Sequence, residues 1–151
     1  MFNAEEAKIA RTLLSNHNLY IIWKPEYNLG LPIIDEQHRG VVTIINSLQF
    51  GILHNYVSEM LLPIVEMIFD YTKIHFQIEE DFLEKLKFPN IVKHKELHVE
   101  LIAKLKKTGK RSLLERDPNQ FLDFLKEWWI GHICNEDQLY RDYILSSQKG
   151  A

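Results

Sequence analysis

Apolar residues recur along most of the chain at alternating steps of three and four residues, which is the spacing of amphipathic α-helices. The first stripe follows Asp35, a candidate N-cap. The second contains Pro63, which a helix tolerates in its first turn. The third ends near Gly109, a candidate for the residue that follows a helix, and the fourth opens with Asp117 and Pro118, a cap followed by proline. Four stripes joined by short links predict an all-α, up-down-up-down four-helix bundle.

Ionisable residues interrupt these stripes at positions where a bundle normally carries leucine or isoleucine. They are His38, His75, Glu79, His94, His98 and His132, and Asp137 follows five residues after His132. A single one could be a hydrogen-bonded core histidine, but burying an unpaired polar group costs roughly 2–7 kcal/mol, so this many need a common partner. In an antiparallel bundle, the starts of the first and third helices lie beside the ends of the second and fourth, so all seven residues converge on one layer. The pattern predicts a metal site with too few ligands to saturate two six-coordinate metals, even with a bridging oxygen added, so that one position stays open for a small molecule.

The spacing within each helix supports chelation, with one conflict. His75 with Glu79, and likewise His94 with His98, are i,i+4 pairs on one helical face. His132 and Asp137 are i,i+5, about 140° apart on an ideal α-helix, so geometry alone favours Glu136. Imidazole-rich ligation suits iron, zinc, copper or nickel. The chain has no Glu-x-x-His pair of the kind that ferritin-like di-iron oxidases use.

Length and composition narrow the classes of function. A chain of 151 residues has the length of a single domain. Its net charge of -3 argues against nucleic acid or an anionic membrane as a partner. Cys134 is the only cysteine, which favours a reducing compartment. No apolar run approaches the roughly 20 residues needed to span a bilayer, and the N-terminus lacks the order of a signal peptide. We therefore expect a cytoplasmic protein.

The chain resembles the bacterial hemerythrins (bacteriohemerythrin or hemerythrin-like domains) from about Trp23 to Tyr143. The matching segments, with all seven ligand positions filled in order, are Trp23…Tyr27-Asn-Leu-Gly30, Ile34-Asp-Glu-Gln-His38, His75-Phe-Gln-Ile-Glu79-Glu80, His94-Lys-Glu-Leu-His98 and Trp128…His132…Asp137…Tyr140.

The resemblance implies two non-haem iron ions with a bridging oxo or hydroxo group. One iron would be held by His94, His98 and His132, and the other by His38 and His75. Glu79 and Asp137 would bridge them, which favours Asp137 over Glu136. O2 would bind at the five-coordinate iron as a (hydro)peroxide, and nitric oxide or azide are further candidate ligands.

The wall of the O2 pocket is expected to include Trp128, Trp129 and Ile133, which flank His132 in the sequence. Simple core packing explains Trp128 equally well. Trp129 stands where family members often carry a smaller aliphatic residue, so its indole could block O2, redirect its access or prop open a channel. From the sequence alone, replacing Trp129 by leucine is predicted to slow oxidation of the oxygenated form.

The domain boundaries suggest how such a site would be used. Residues 1–22 form an N-terminal extension with a candidate helix from Ala4 to Leu19, residues 23–145 the bundle, and residues 146–151 a linker-like tail that could lead to a signalling output domain. With Trp129, these features favour oxygen or redox sensing over oxygen storage or delivery. An enzyme acting on O2, peroxide or nitric oxide is disfavoured, because no acid–base pair is evident beyond the ligands. A bundle without metal, or with adventitious zinc, is the remaining alternative.

Overall fold

A computed structural model describes residues 3–5, 8 and 21–149 and confirms the all-α bundle. Its α-helices are α1 (Pro32–Leu53), α2 (Val57–Lys85), α3 (Ile91–Glu115), α4 (Pro118–Trp128) and α5 (Asp137–Lys149). A π-helical segment, Trp129–Glu136, joins α4 to α5, and a 3-10 helix, Pro25–Tyr27, precedes α1. Each of the helices α1 to α3 packs on the next, and α4 returns to α1, as short links require. Most of the candidate helix from Ala4 to Leu19 lies outside the described residues.

The start of α1 differs from its prediction. Asp35 is not the N-cap: α1 begins at Pro32, and proline suits a first helical turn. The Asp35 carboxylate instead accepts hydrogen bonds from the backbone N–H groups of Leu29, at 2.7 Å, and Gly30, at 3.2 Å. Gly30 has φ +83°, a conformation that glycine adopts without steric cost. Asp35 therefore fastens the preceding segment to the helix.

The start of α2 is also earlier than predicted. Because α2 begins at Val57, Pro63 lies in its second turn and not in its first. Proline at this position leaves the carbonyl of Glu59 without its helical donor. The buried side chains of Leu61 and Ile64 on either side of Pro63 anchor this part of α2 in the core. Packing against the rest of the bundle therefore keeps α2 continuous through a proline that would interrupt an isolated helix.

The glycine predicted to follow the third helix lies inside it. Helix α3 continues to Glu115 and ends where Arg116 adopts φ +54°. Gly109 is buried within α3, and a Cβ there would lie 2.8 Å from Cγ1 of Val65. A close approach of α3 to α2 explains this glycine, so the prediction that it follows a helix is wrong.

The fourth helix of the bundle begins as predicted and then changes its winding. The Asp117 carboxylate caps α4 by accepting hydrogen bonds from the N–H groups of Asn119, at 3.1 Å, and Gln120, at 3.4 Å. After Trp128 the chain turns π-helical for eight residues before α5 begins. Residues 146–149, part of the segment expected to be linker-like, continue α5.

Two apolar clusters place the candidate ligands within the bundle. One fills the larger part of the bundle and includes Val41, Ile45, Ile68 and Phe121. The other lies near the opposite end and consists of Leu29, Ile34, Leu83, Phe88, Tyr140 and Ile144. The ionisable residues lie on the same helices between these clusters, shielded from water. Within the part of the chain that the structure describes, no helix is long and apolar enough to cross a membrane.

Candidate metal centre

The structure brings all seven predicted ligand residues together in one buried layer. Each is at most 5% exposed. Their side chains form two overlapping groups whose ligand atoms lie within 4.8 Å of one another. The first group contains Glu79, His94, His98 and His132, and the second contains His38, His75, Glu79 and Asp137. Two adjacent metal positions that share Glu79 are therefore available.

The two carboxylate oxygens of Glu79 face different histidines. Oε1 lies 2.6 Å from Nε2 of His94 and 3.2 Å from Nε2 of His98. Oε2 lies 3.4 Å from Nε2 of His75. Glu79 thus presents one oxygen to each histidine group.

Asp137 divides its oxygens in the same way. Oδ1 lies 3.2 Å from Nε2 of His132 and 3.6 Å from Nε2 of His94, whereas Oδ2 lies 3.3 Å from Nε2 of His38. Two carboxylates that each span both histidine groups have the arrangement expected of bridging ligands between paired metal ions. This arrangement is the most informative feature of the site.

The π-helical segment explains why Asp137, and not Glu136, reaches the site. The backbone N–H of Asp137 donates to the carbonyl of His132, an i→i+5 hydrogen bond of the π-helical type. This wider turn brings Asp137 onto the face of His132, which an α-helix would not do. Glu136 is displaced toward the surface, where it lines a groove. The local winding therefore resolves the conflict that the spacing alone left open.

The unpartnered atoms of Asp137 test whether the residues fit a metal. Asp137 is fully buried, yet neither carboxylate oxygen accepts a hydrogen bond from the described residues. Buried polar atoms are almost always hydrogen-bonded, so such an orphan needs an explanation. A cation between the histidine groups would supply the missing partner for both oxygens. The donor set of imidazoles and carboxylates suits iron among other metals.

Burial keeps the histidines in the form that binds metal. Removal from water lowers the pKa of His38 to about 4 and that of His75 to about 3, and it also holds the pKa of His132 well below its usual value. These three imidazoles are therefore neutral near pH 7, with a lone pair free for a metal. Nε2 of His38 lies 3.1 Å from Nε2 of His75, and Nε2 of His98 lies 3.2 Å from Nε2 of His132.

The two carboxylates affect each other strongly. Burial and the charge of Glu79 raise the pKa of Asp137 well above its usual value. Burial opposes ionisation of Glu79 as well, but hydrogen bonds from His94 and His98 outweigh it and hold the Glu79 pKa well below its usual range. Without a cation, the site therefore favours one ionised and one protonated carboxylate.

We expect the metal-free protein to lose stability in mild acid because of these histidines. The pKa of His38 is lower folded than unfolded, so the stability contributed by its neutral form is complete above pH 6.5 and is lost as the pH falls toward 4. At about 1.4 kcal/mol per pKa unit, this shift corresponds to roughly 3 kcal/mol. Urea unfolding of chelated protein at pH 7 and pH 4 measures the loss. In His38→Gln, the loss of unfolding free energy between pH 7 and pH 4 should be smaller by about that amount. An equal loss in the variant and the wild type would show that His38 does not cause the acid sensitivity.

Comparison with known proteins agrees with the geometry. Residues 29–144 match the family described as the Hemerythrin HHE cation binding domain. The chain belongs to the hemerythrin family. It is 30% identical to the bacteriohemerythrin of Pseudomonas aeruginosa over 85% of this chain and 84% of that protein. It is 28% identical to the bacteriohemerythrin of Stenotrophomonas maltophilia, covering 82% and 81%, and 24% identical to myohemerythrin-1 of Phascolopsis gouldii, covering 80% and 91%.

Hydrogen bonds behind the ligands orient them in this hemerythrin-family chain. The Nδ1 of His75 lies 2.8 Å from Oε1 of Gln37, and the Nδ1 of His98 lies 2.7 Å from Oε1 of Glu80. The Tyr140 hydroxyl donates to Oε2 of Glu79 at 2.8 Å. Burial, followed by the charges of Asp137 and Glu79, raises the pKa of Tyr140 well above its usual value, so it remains a donor.

Sequence reasoning identified only part of this supporting set. It named Glu80 only as part of a segment that matches the family, without a role, and it missed the role of Gln37. It also missed Phe76, whose ring stacks on His98 with centroids 3.7 Å apart. Each of these three residues is the immediate neighbour of a ligand in the sequence, and that adjacency is the signal that could have found them.

The three residues predicted to line an O2 pocket lie in different surroundings. Trp129 is buried with its ring centroid 6.2 Å from that of His38, in the histidine group that has only two imidazoles. Trp128 instead contacts Phe76, whose ring covers His98 on the other side of the site. Ile133 is fully buried in the main apolar cluster.

Surface cavities adjoin the site on two sides. A groove of about 530 Å³ is lined by residues of α3, α4 and the π-helical segment, among them Trp128, His132 and Glu136. Helical periodicity alone does not predict this groove. A second cavity of about 250 Å³ is lined by Trp129 together with Tyr27 and Ile130. Trp129 therefore stands between this second cavity and His38.

Proposed function

We propose that this chain binds O2 at two non-haem iron ions that share a bridging oxo or hydroxo group. The observation that carries the proposal is the division of each carboxylate, Glu79 and Asp137, between the two histidine groups. Membership of the hemerythrin family supports iron as the metal. The imidazoles and the two carboxylates suit a pair of metal ions better than one ion, because they form two groups of four residues whose ligand atoms lie within 4.8 Å of one another.

The unequal histidine groups indicate where O2 would bind. His94, His98 and His132 would hold one iron, whereas only His38 and His75 would hold the other, so the second iron keeps a position for an exogenous ligand. When bound, the ferrous ions would supply the electrons that O2 accepts. The chain's own residues fix the ligands and keep water away: Trp129 packs beside His38 and is only 1% exposed. Nitric oxide and azide are candidate competitors for the same position.

In this proposal Trp129 separates the metal site at His38 from the second surface cavity. Its ring packs on Trp23, with centroids 5.6 Å apart, and on Tyr27, with centroids 5.5 Å apart, as well as on His38. Of the three possibilities left open by the sequence, these contacts favour a block to access. A tightly packed indole excludes the water and protons that would promote oxidation of the oxygenated site.

Trp129→Leu is therefore expected to speed both O2 binding and oxidation of the oxygenated form several-fold, the opposite of the effect expected from the sequence alone. Leucine would leave a void connecting the cavity of about 250 Å³ to His38. Stopped-flow absorption with O2 or azide measures the rates. Trp128→Leu is the matched control, because Trp128 contacts Phe76 on the other side, and its rates should stay near wild type. Equal rates in both variants would remove Trp129 from the access route.

We place the chain in oxygen or redox sensing, as a cytoplasmic signalling protein. The supporting observation is a continuous series of aromatic contacts from His38 through Trp129 to Trp23 and Tyr27, which belong to the segment before α1. A change at the site could reach that segment through these rings. A partner that contacts this segment, either an output domain of a longer chain or a separate protein, would receive the signal. The alternative use is oxygen storage or delivery.

The visible absorption spectrum of the reduced, iron-loaded protein, recorded on exposure to O2 and then after purging with argon, tests the proposal. Rapid conversion to the diferric spectrum would support sensing. An oxygenated spectrum that persists and reverses on purging would support storage or delivery instead. No O2-dependent spectrum in protein loaded with two irons would overturn O2 binding altogether. Steady consumption of peroxide or nitric oxide would show an enzyme.

A further inference from the structure

The two histidine groups are backed by hydrogen-bond acceptors of different charge. Behind His98, the acceptor for Nδ1–H is the Glu80 carboxylate at 2.7 Å. Behind His75, it is the neutral side-chain amide oxygen of Gln37 at 2.8 Å. In both residues the opposite nitrogen, Nε2, faces the oxygens of Glu79. Both imidazoles therefore turn Nε2 toward the centre of the site, but Nδ1 faces a neutral amide in His75 and a carboxylate in His98.

A carboxylate and an amide have different effects on a metal-bound imidazole. An acceptor behind the ring fixes the tautomer and raises the basicity of the ligating nitrogen. A charged acceptor does so more strongly than a neutral one, and it also adds negative charge near the metal. The Glu80 side chain is 19% exposed and the His98 side chain 3% exposed, so water screens this charge only in part. More electron density at a metal stabilises its higher oxidation state.

The surroundings of Gln37 hold it in place. The Tyr71 hydroxyl on α2 donates to the backbone carbonyl of Gln37 on α1 at 3.0 Å. Gly40, one turn further along α1, leaves room for this contact, since a methyl group there would collide with the Tyr71 hydroxyl. This contact between helices therefore fixes the backbone from which the Gln37 side chain reaches His75.

We infer that Glu80 and Gln37 are positioning residues that give the two metal positions unequal reduction potentials. Glu80 makes the metal held by His98 the easier one to oxidise. Gln37 keeps the metal held by His75, where O2 is proposed to bind, more stable in its ferrous state. The inference rests on the proposed di-iron site and adds how that site would be tuned.

Charge-swapping variants of the iron-loaded protein test this inference by mediated spectroelectrochemistry. Glu80→Gln should raise the reduction potential of the metal held by His98. At a fixed applied potential, its ferric-to-ferrous ratio should fall at least tenfold, which corresponds to about 59 mV for one electron. Gln37→Glu should lower the reduction potential of the metal held by His75 and speed conversion to the diferric form. Glu80→Asp keeps the charge and should remain near wild type, which separates a charge effect from a packing effect.

Matched controls carry the same charge changes away from the ligands. Glu66→Gln removes an exposed carboxylate from α2 about 21 Å from Glu80, and Gln49→Glu adds one on α1 about 18 Å beyond Gln37. Neither should move a potential. In zinc-loaded protein, the proton resonance on Nδ1 of His98 should shift in Glu80→Gln but not in Glu66→Gln. If the two bound irons have the same potentials in Glu80→Gln as in Glu66→Gln, the inference is overturned. A wild-type chain that cannot hold two irons would overturn the proposed function instead.

Discussion

His75→Ala is expected to lower the iron content from two ions per chain to one or fewer. His75 belongs to the group with only two imidazoles, so its loss leaves His38 as the sole nitrogen ligand there. The two carboxylates that remain, Glu79 and Asp137, each also present an oxygen to the other group. Elemental analysis of protein reconstituted under argon measures the stoichiometry. His98→Ala should have a similar effect, because it removes a ligand from the other group.

The same variant should also lower thermal stability in the presence of iron. A metal that binds the folded chain and not the unfolded one stabilises it by about 2.7 kcal/mol at a free concentration 100 times the dissociation constant. His75→Ala should lose most of this increment, measured as the difference in Tm with and without iron. His54→Ala removes a histidine that packs on Phe50, outside the ligand layer, and should keep both the metal and the increment. Full iron loading of His75→Ala would contradict the assignment of His75.

The sequence was sufficient to predict most of the ligand layer, because the inward positions of the histidines and of Glu79 follow from helical periodicity. A histidine on the apolar face of a helix must point into the bundle, and short links between helices then fix the level at which it meets its neighbours. The spacing of His38, His75 and Glu79 was enough to place them in this way. The structure brings them together with their Nε2 and carboxylate atoms facing one another.

The same reasoning failed where a residue type serves two purposes. Aspartate caps helices, but Asp35 binds the backbone of the segment before α1 from inside the helix. Glycine often follows helices, but Gly109 allows α3 to approach α2. Local sequence cannot separate these roles, because each depends on how closely a second segment packs.

The winding between α4 and α5 was beyond reach for a different reason. The prediction assumed a constant helical period, under which Glu136 and not Asp137 would lie above His132. The π-helical segment breaks that assumption at the position where the ligands lie, and such segments occur frequently at functional sites. Adjacency to His38 marks Gln37 as a candidate, but its hydrogen bond to His75 could not be inferred, because that bond depends on the rotation of α1 relative to α2.

Asp137→Asn is expected to stabilise the metal-free protein while impairing iron binding. The raised pKa of Asp137 means that its ionisation opposes folding: the stability present at low pH is lost as the pH rises through the folded pKa. Asparagine cannot ionise, and it removes the like charge beside Glu79 at nearly constant volume. The gain should approach about 1.4 kcal/mol for each pKa unit by which Asp137 is raised. Urea unfolding of chelated protein at pH 7 measures it.

Iron should reverse the order of stability of the two proteins. Wild-type Asp137 gives one carboxylate oxygen to each histidine group, and the asparagine variant keeps one carbonyl oxygen and gains an amide donor. The variant should therefore hold fewer irons and gain less stability from them. Asp142→Asn, an exposed change on α5, should alter neither quantity. If Asp137→Asn were less stable than the wild type without metal, ionisation of the buried Asp137 carboxylate would not be what opposes folding. If it were more stable, Asp137 would be a residue retained for the metal at the expense of the fold.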